Sequence, residues 1–176
     1  MSLQQQIMDT HPQWKEYIER WKFLIDSYQG GHSYKEGEYL AAYIFESREQ
    51  YETRLENTPY DNHVKATIAI YNSFLFRNPP IRDMNGLEND PGFLPFMSDC
   101  DLDGRSFDSV MRDISTYSSI YGQVWCVIDK PATVAYTRAE ELEQGIRPYI
   151  SLYTPENVLD WNYSRAANGH HCRDYR

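Results

Sequence analysis

Positive charge is scarce in this chain. Its 17 Lys and Arg face 26 Asp and Glu, a formal net charge of −9, whereas affinity for a phosphate backbone comes from clustered Lys and Arg. That balance argues against a surface built to grip nucleic acid. No stretch approaches the about 18 consecutive apolar residues of a membrane-crossing helix, so no helical span is expected. The opening MSLQQQIMDTHPQ has neither the basic nor the apolar region of a secretory leader. Cysteine is rare: Cys100, Cys126 and Cys172 are odd in number and widely spaced, the pattern of free thiols in a reducing compartment. The phosphate loop GxxxxGK[ST], the dinucleotide motif GxGxxG and the nucleophile elbow GxSxG are all missing.

What the chain does have is tyrosine, 15 among 176 residues. Tyrosine is amphipathic and enriched where proteins meet, which favours an assembly subunit over a free monomer. The length suits one domain or a piece of a larger one.

The residue pattern alternates between helices and polar breaks. Thr10 and Pro12 predict a helix start; Trp14, Ile18, Trp21, Ile25 and Tyr28 then recur at helical spacing until Gly30-Gly31 stops them. Residues 30–37 read as a polar loop, and Tyr39–Phe45 as an apolar run too short to assign. Ser47 opens a charged helix through Asn57, anchored by Tyr51 and Leu55. After Pro59, Asp61 or Asn62 can cap a strongly apolar helix in which Val64, Ile68, Tyr71 and Leu75 form one stripe beside Ile70 and Phe74. So wide a face predicts a central core helix, ended by Asn78 before Pro79-Pro80.

Residues 81–104 read as a long loop rich in Asp, Asn, Gly and Pro, of the kind that carries function or an interface. A helix follows from Ser106 to Gly122, then a buried strand at Val124–Asp129 and a second strand at Pro148–Tyr153. Between the strands, Thr137 and Glu140 have capping-box spacing for a short helix closed by Gly145. TPENV gives a turn of helix and Leu159–Tyr163 a third strand; the last residues, RAANGHHCRDYR, contain no finished element. The prediction is a helix-rich α+β fold with a small mixed or antiparallel sheet. Residues 1–105 are expected to form a helical N-terminal region with the long acidic loop 81–104. Residues 106–176 are expected to form a helix plus a small sheet, incomplete at its end.

Two motifs invite a metal. Asp99, Asp101, Asp103 and Gly104 match positions 1, 3, 5 and 6 of a calcium loop, but Val110 stands where the bidentate Glu belongs, and Pro91 and Pro95 speak against an incoming helix. The carboxylates read better as an acidic lead-in to the next helix, where they suit its dipole. His170, His171 and Cys172 resemble half a zinc site without a partner motif and read as a solvated tail. No catalytic, cofactor or metal site is assigned. Candidates for contact between subunits are Tyr34, Tyr43 and Tyr60 in or beside loops, and Phe93, Leu94, Phe96 and Met97 in the FLPFM cluster, which needs somewhere dry to sit.

An ordered set of segments adds a further reading. HPQWKEYIERWKFLIDSYQGG, GEYL, YETRL with TPYDN, and a helix ending FLFRNPPI are followed in order by DLDGRSFDSVM, YGQVWCVIDKP and RPYISLYTPENVLDW. The set resembles the N-terminal, wing portion of tailed-bacteriophage portal proteins. The family's clip, stem helix and tunnel loop lie further along and are not carried over. The resemblance implies a structural virion protein, not an enzyme: a homo-oligomeric ring, dodecameric in the virion, at one capsid vertex. It also implies assembly in the bacterial host cytoplasm, partnership with the major capsid protein, terminase and a head-tail adaptor, and passage of DNA through the ring without specific binding. Other readings are a different virion adaptor or scaffold-binding protein, or an acidic-loop metal-binding protein or nuclease.

Overall fold

The computed structural model of the chain describes residues 10–132, 137–165 and 171–175. The elements run α1 (Pro12–Gln29), α2 (Gly31–Glu36), α3 (Arg48–Asn57), α4 (His63–Leu75), α5 (Phe93–Ser98), α6 (Phe107–Tyr121), β1 (Trp125–Asp129), α7 (Arg138–Glu143), β2 (Tyr149–Tyr153), β3 (Trp161–Arg165) and β4 (His171–Tyr175). Single 3-10 turns stand at Leu87–Asn89 and Pro155–Asn157. The fold is α+β and helix-rich, with two two-stranded antiparallel sheets among the described residues, β1–β2 and β3–β4. The chain divides into two compact units, residues 1–69 with 155–176, and residues 70–154; position 105 falls inside the second. Among the described residues no helix is long and apolar enough to cross a membrane.

In the first unit α1 is capped by His11 rather than Thr10: the imidazole Nδ1 accepts from the Gln13 N–H at 3.3 Å, with Pro12 in the first turn. At its other end Gly30 has φ 67° and returns its N–H to Asp26 O at 2.7 Å. A side chain there would be strained by φ and would also come within 2.7–2.9 Å of Asn62 and Tyr60. Those two residues pin the TPYDN segment onto the end of α1, Tyr60 OH donating to Ser27 O and Asn62 Nδ2 to Tyr28 O, both at 2.7 Å.

Residues expected to loop instead wind into α2. This places Tyr34 among Phe23, Tyr39 and Tyr60, so aromatic packing overrides the polar composition. Ser47 and Gln50 close a reciprocal capping box at the start of α3. The 39–45 run is neither helix nor strand; the Leu40 carbonyl takes the buried Tyr51 hydroxyl at 2.9 Å, and that of Ala41 takes Arg54 at 2.8 Å.

Further along the same unit, Trp14 donates to Glu156 O at 3.2 Å, and His11 stacks on Trp161 with ring centroids 4.0 Å apart. The final residues do form an element: β4 pairs with β3 in register, Asn162 opposite Asp174.

In the second unit the 81–104 connection is not a bare loop. Asp90 Oδ1 accepts from the Gly92 and Phe93 N–H groups at 2.7 and 3.2 Å and starts α5, in spite of Pro95. Pro95 is the third helical residue, where a backbone N–H would have no partner within the helix. Cys100, Val110 and Ile150 are buried as a small core, with Phe96, Phe107, Ile114 and Leu152 packed against it. The backbone ties Cys100 in place, its N–H to Arg105 O at 2.8 Å and its carbonyl to Ile150 N at 2.7 Å. Helix α6 runs from the Ser106 cap to Gly122, which has φ 79°. Strands β1 and β2 pair directly, Val127 opposite Ser151; β1 is not the buried strand expected, since Cys126, Ile128 and Asp129 are exposed on a two-stranded sheet.

The expectation of a core helix at α4 fails. None of its residues is buried, and Val64, Ile70, Tyr71, Phe74 and Leu75 are exposed by 40, 57, 72, 69 and 66%. The reason lies on the opposite side of the helix. The Asn72 amide donates to Thr116 Oγ1 and accepts from Ser115 Oγ, both at 2.7 Å, so α4 turns its polar side to α6 and its apolar arc away.

Candidate functional site

Three features of the second unit bear on function: a cleft, the acidic loop, and the α4 arc. The cleft, of about 540 Å³, is walled by Leu87, Phe93, Phe96, Ile128, Leu142 and Ile146. Strand pleating brings Ile128 to the face it shares with Cys126, and the Thr137 cap, whose hydroxyl accepts from Glu140 N–H at 3.2 Å, sets α7 and with it Leu142. Charges around the cleft are matched in pairs. Arg138 meets Asp90, Lys130 meets Glu141, and Arg147 meets Asp99, each at 2.5 Å. The N–H of Gly92 and then the Arg138 guanidinium hold the Asp90 carboxyl below its usual range. The cleft is therefore apolar inside and neutralised outside, a shape that takes apolar groups.

The acidic loop Asp99–Gly104 is held by its own carboxylates. Asp99 Oδ1 accepts from the Gly104 N–H at 2.9 Å, and its other oxygen takes Arg147. Asp101, whose side chain is 4% exposed, accepts the Asp103 and Arg105 N–H groups at 3.0 and 3.1 Å and also binds the Arg105 guanidinium. Burial alone would raise its carboxyl, but the Arg105 hydrogen bond and the two N–H groups prevail and lower it to about 2. Asp103 is exposed. The helix missing from the calcium-loop reading does exist, as α5, yet the first two carboxylates are occupied by backbone N–H groups and arginines. Among the described residues no group of three or more His, Cys, Asp or Glu could hold a metal ion. His170 lies outside the described residues, while the backbone of His171 and Cys172 belongs to β4.

The expected contact residues separate. Tyr34 and Tyr60 stack on each other at 4.3 Å inside the first unit. Burial raises the Tyr60 hydroxyl, and the neighbouring Tyr39, which donates to Asp26 at 2.7 Å, is raised to about 12 by burial and then by that carboxylate. Tyr43 stays 70% exposed, with the Arg54 guanidinium 4.6 Å from its ring centre. In the FLPFM cluster Phe96 packs on the Cys100 core, Phe93 lines the cleft, Met97 is half-buried and Leu94 is 55% exposed. Sequence reasoning missed the cleft residues Ile128, Leu142 and Ile146, which stand on three different segments without a shared motif. It found the α4 arc but assigned it to the interior.

No family model matches the sequence, and no curated protein matches it.

Proposed function

We propose that this chain is a structural subunit of a ring at one vertex of a phage capsid, the wing portion of a portal protein, through which DNA is packaged and released. The observation that carries the reading is the apolar arc of α4. Ile70, Tyr71, Phe74 and Leu75 are all more than half exposed, on the helix whose FLFRNPPI ending belongs to the segments that resemble the portal family. Four large apolar side chains on one helix face favour a partner surface over solvent. The net charge of −9 supports a conduit that lets duplex DNA slide rather than one that grips it.

The ring is built from a repeated head-to-tail contact that closes on itself. It works beside the major capsid protein, a separate packaging terminase and a head-tail adaptor, in the virion and in the bacterial host cytoplasm during assembly. Light scattering with negative-stain electron microscopy of the protein tests this. Closed rings of one stoichiometry are expected; a monomer or a two-fold dimer at every concentration would rule the reading out.

A further inference from the structure

We propose that the α4 arc of one copy seats Tyr71 and Phe74 in the cleft of the next copy. This rests on the head-to-tail association argued above and identifies its two halves. The arc is convex and apolar: the helix positions Ile70, Tyr71, Phe74 and Leu75 carry no charge and are 57, 72, 69 and 66% exposed. With aromatic side chains of about 150–250 Å² each, the four present on the order of 500 Å² of surface. That reaches the upper part of the range for the largest patch on a typical monomer, roughly 300–600 Å². It is also more than half of the ~800 Å² that each partner buries in a stable contact.

The cleft is the concave counterpart within the same unit, about 540 Å³ and walled by Leu87, Phe93, Phe96, Ile128, Leu142 and Ile146. Aromatic anchors entering apolar pockets dominate the energetics of protein contacts. Charge favours the match. The cleft's cations are already joined to Asp90, Glu141 and Asp99 at 2.5 Å, so an uncharged knob enters without stranding a buried charge. A knob and a pocket at different places on one chain make a heterologous contact, which closes into a ring or runs on as a filament.

Disulfide trapping in the full chain tests the contact, in a background of Cys126→Ser and Cys172→Ser with Cys100 sealed inside. Phe74→Cys and Leu142→Cys are prepared separately; both positions are exposed, and far-UV circular dichroism checks that each variant folds. Mild oxidation of the mixture is expected to give a crosslinked dimer that neither variant gives alone. Tyr71→Cys with Ile128→Cys provides a second, independent pair. Closed rings without a crosslink from either mixture would overturn this contact and leave the ring intact. Phe74→Cys crosslinking to itself as well as the mixture does would mean a symmetric helix pair, overturning this contact and the head-to-tail ring together. A chain that stays monomeric overturns both as well.

Discussion

Two helices of similar length, α4 and α6, meet through Asn72 and dispose of their apolar side chains in opposite ways. Helix α6 buries Val110, Ile120 and Tyr121, with Ser106 and Gly122 fixing its ends. Helix α4 buries none of its residues. The difference is not one of hydrophobicity, since α4 is on average the more apolar of the two. It lies in where the polar side chains find partners. The Asn72 amide engages the Ser115 and Thr116 hydroxyls of α6 with both its ends, and that pairing turns the Asn72 side of α4 inward. An apolar stripe states that something must cover it, without saying whether the cover is the same chain.

The sharpest way to break this comparison is a pair of truncations. Ile150→Ala, beside Val110 in the core facing α6, is expected to cost about 2–4 kcal/mol. Phe74→Ala on α4, measured at a dilution where the chain is monomeric, should stay within about 0.5 kcal/mol of the parent. Urea unfolding of both checks this; comparable losses would return α4 to the core.

A second test sharpens the contrast by removing an anchor from the α6 side. Asp101→Asn keeps an acceptor for the backbone N–H groups but loses the charge opposite Arg105, and is expected to cost roughly 1–3 kcal/mol at neutral pH. Because the folded carboxyl titrates at about 2, below the ~3.9 of an unfolded Asp, its contribution is complete above about pH 4 and disappears as pH falls through about 2. Thermal melts across that window should slope less in the variant than in the parent; parallel curves would mean that the carboxylate is not the anchor.

The smallest effect concerns the contact between the two helices. Asn72→Ala leaves the Ser115 and Thr116 hydroxyls without their amide partner and should lower stability by about 1 kcal/mol. A variant as stable as the parent would show that the amide does not set which side of α4 faces α6.

Local chemistry was legible wherever a side chain acts on its own neighbours. The Ser47 box, the Ser106 and Thr137 caps, the Asn62 cap of α4, whose oxygen accepts from Lys65 N–H at 2.8 Å, and the Gly122 stop could all be read from spacing. Strands β1 and β2 could be read from short apolar runs between breaks. The rest depends on partners distant in the chain. Helix α2 forms where composition says loop because Tyr34 packs on Tyr60, 26 positions away; α5 tolerates Pro95 because its first turn needs no N–H there. The cleft joins Leu87, Ile128 and Leu142, and no pattern within any one segment announces that meeting. The side of α4 that faces outward was hidden for the same reason, since nothing marks Asn72 among the polar residues of the helix until Ser115 and Thr116 come beside it.

The sealing of Cys100 turns the second unit into its own clock. Its thiol is 0% exposed and shifted upward by burial, whereas Cys126 is exposed. With Cys172 replaced, a thiol-reactive dye meets Cys126 in the native chain but reaches Cys100 only when the Val110 and Ile150 packing parts. The slow phase of labelling then times how often that packing opens, and any partner that clamps the unit would stretch the interval.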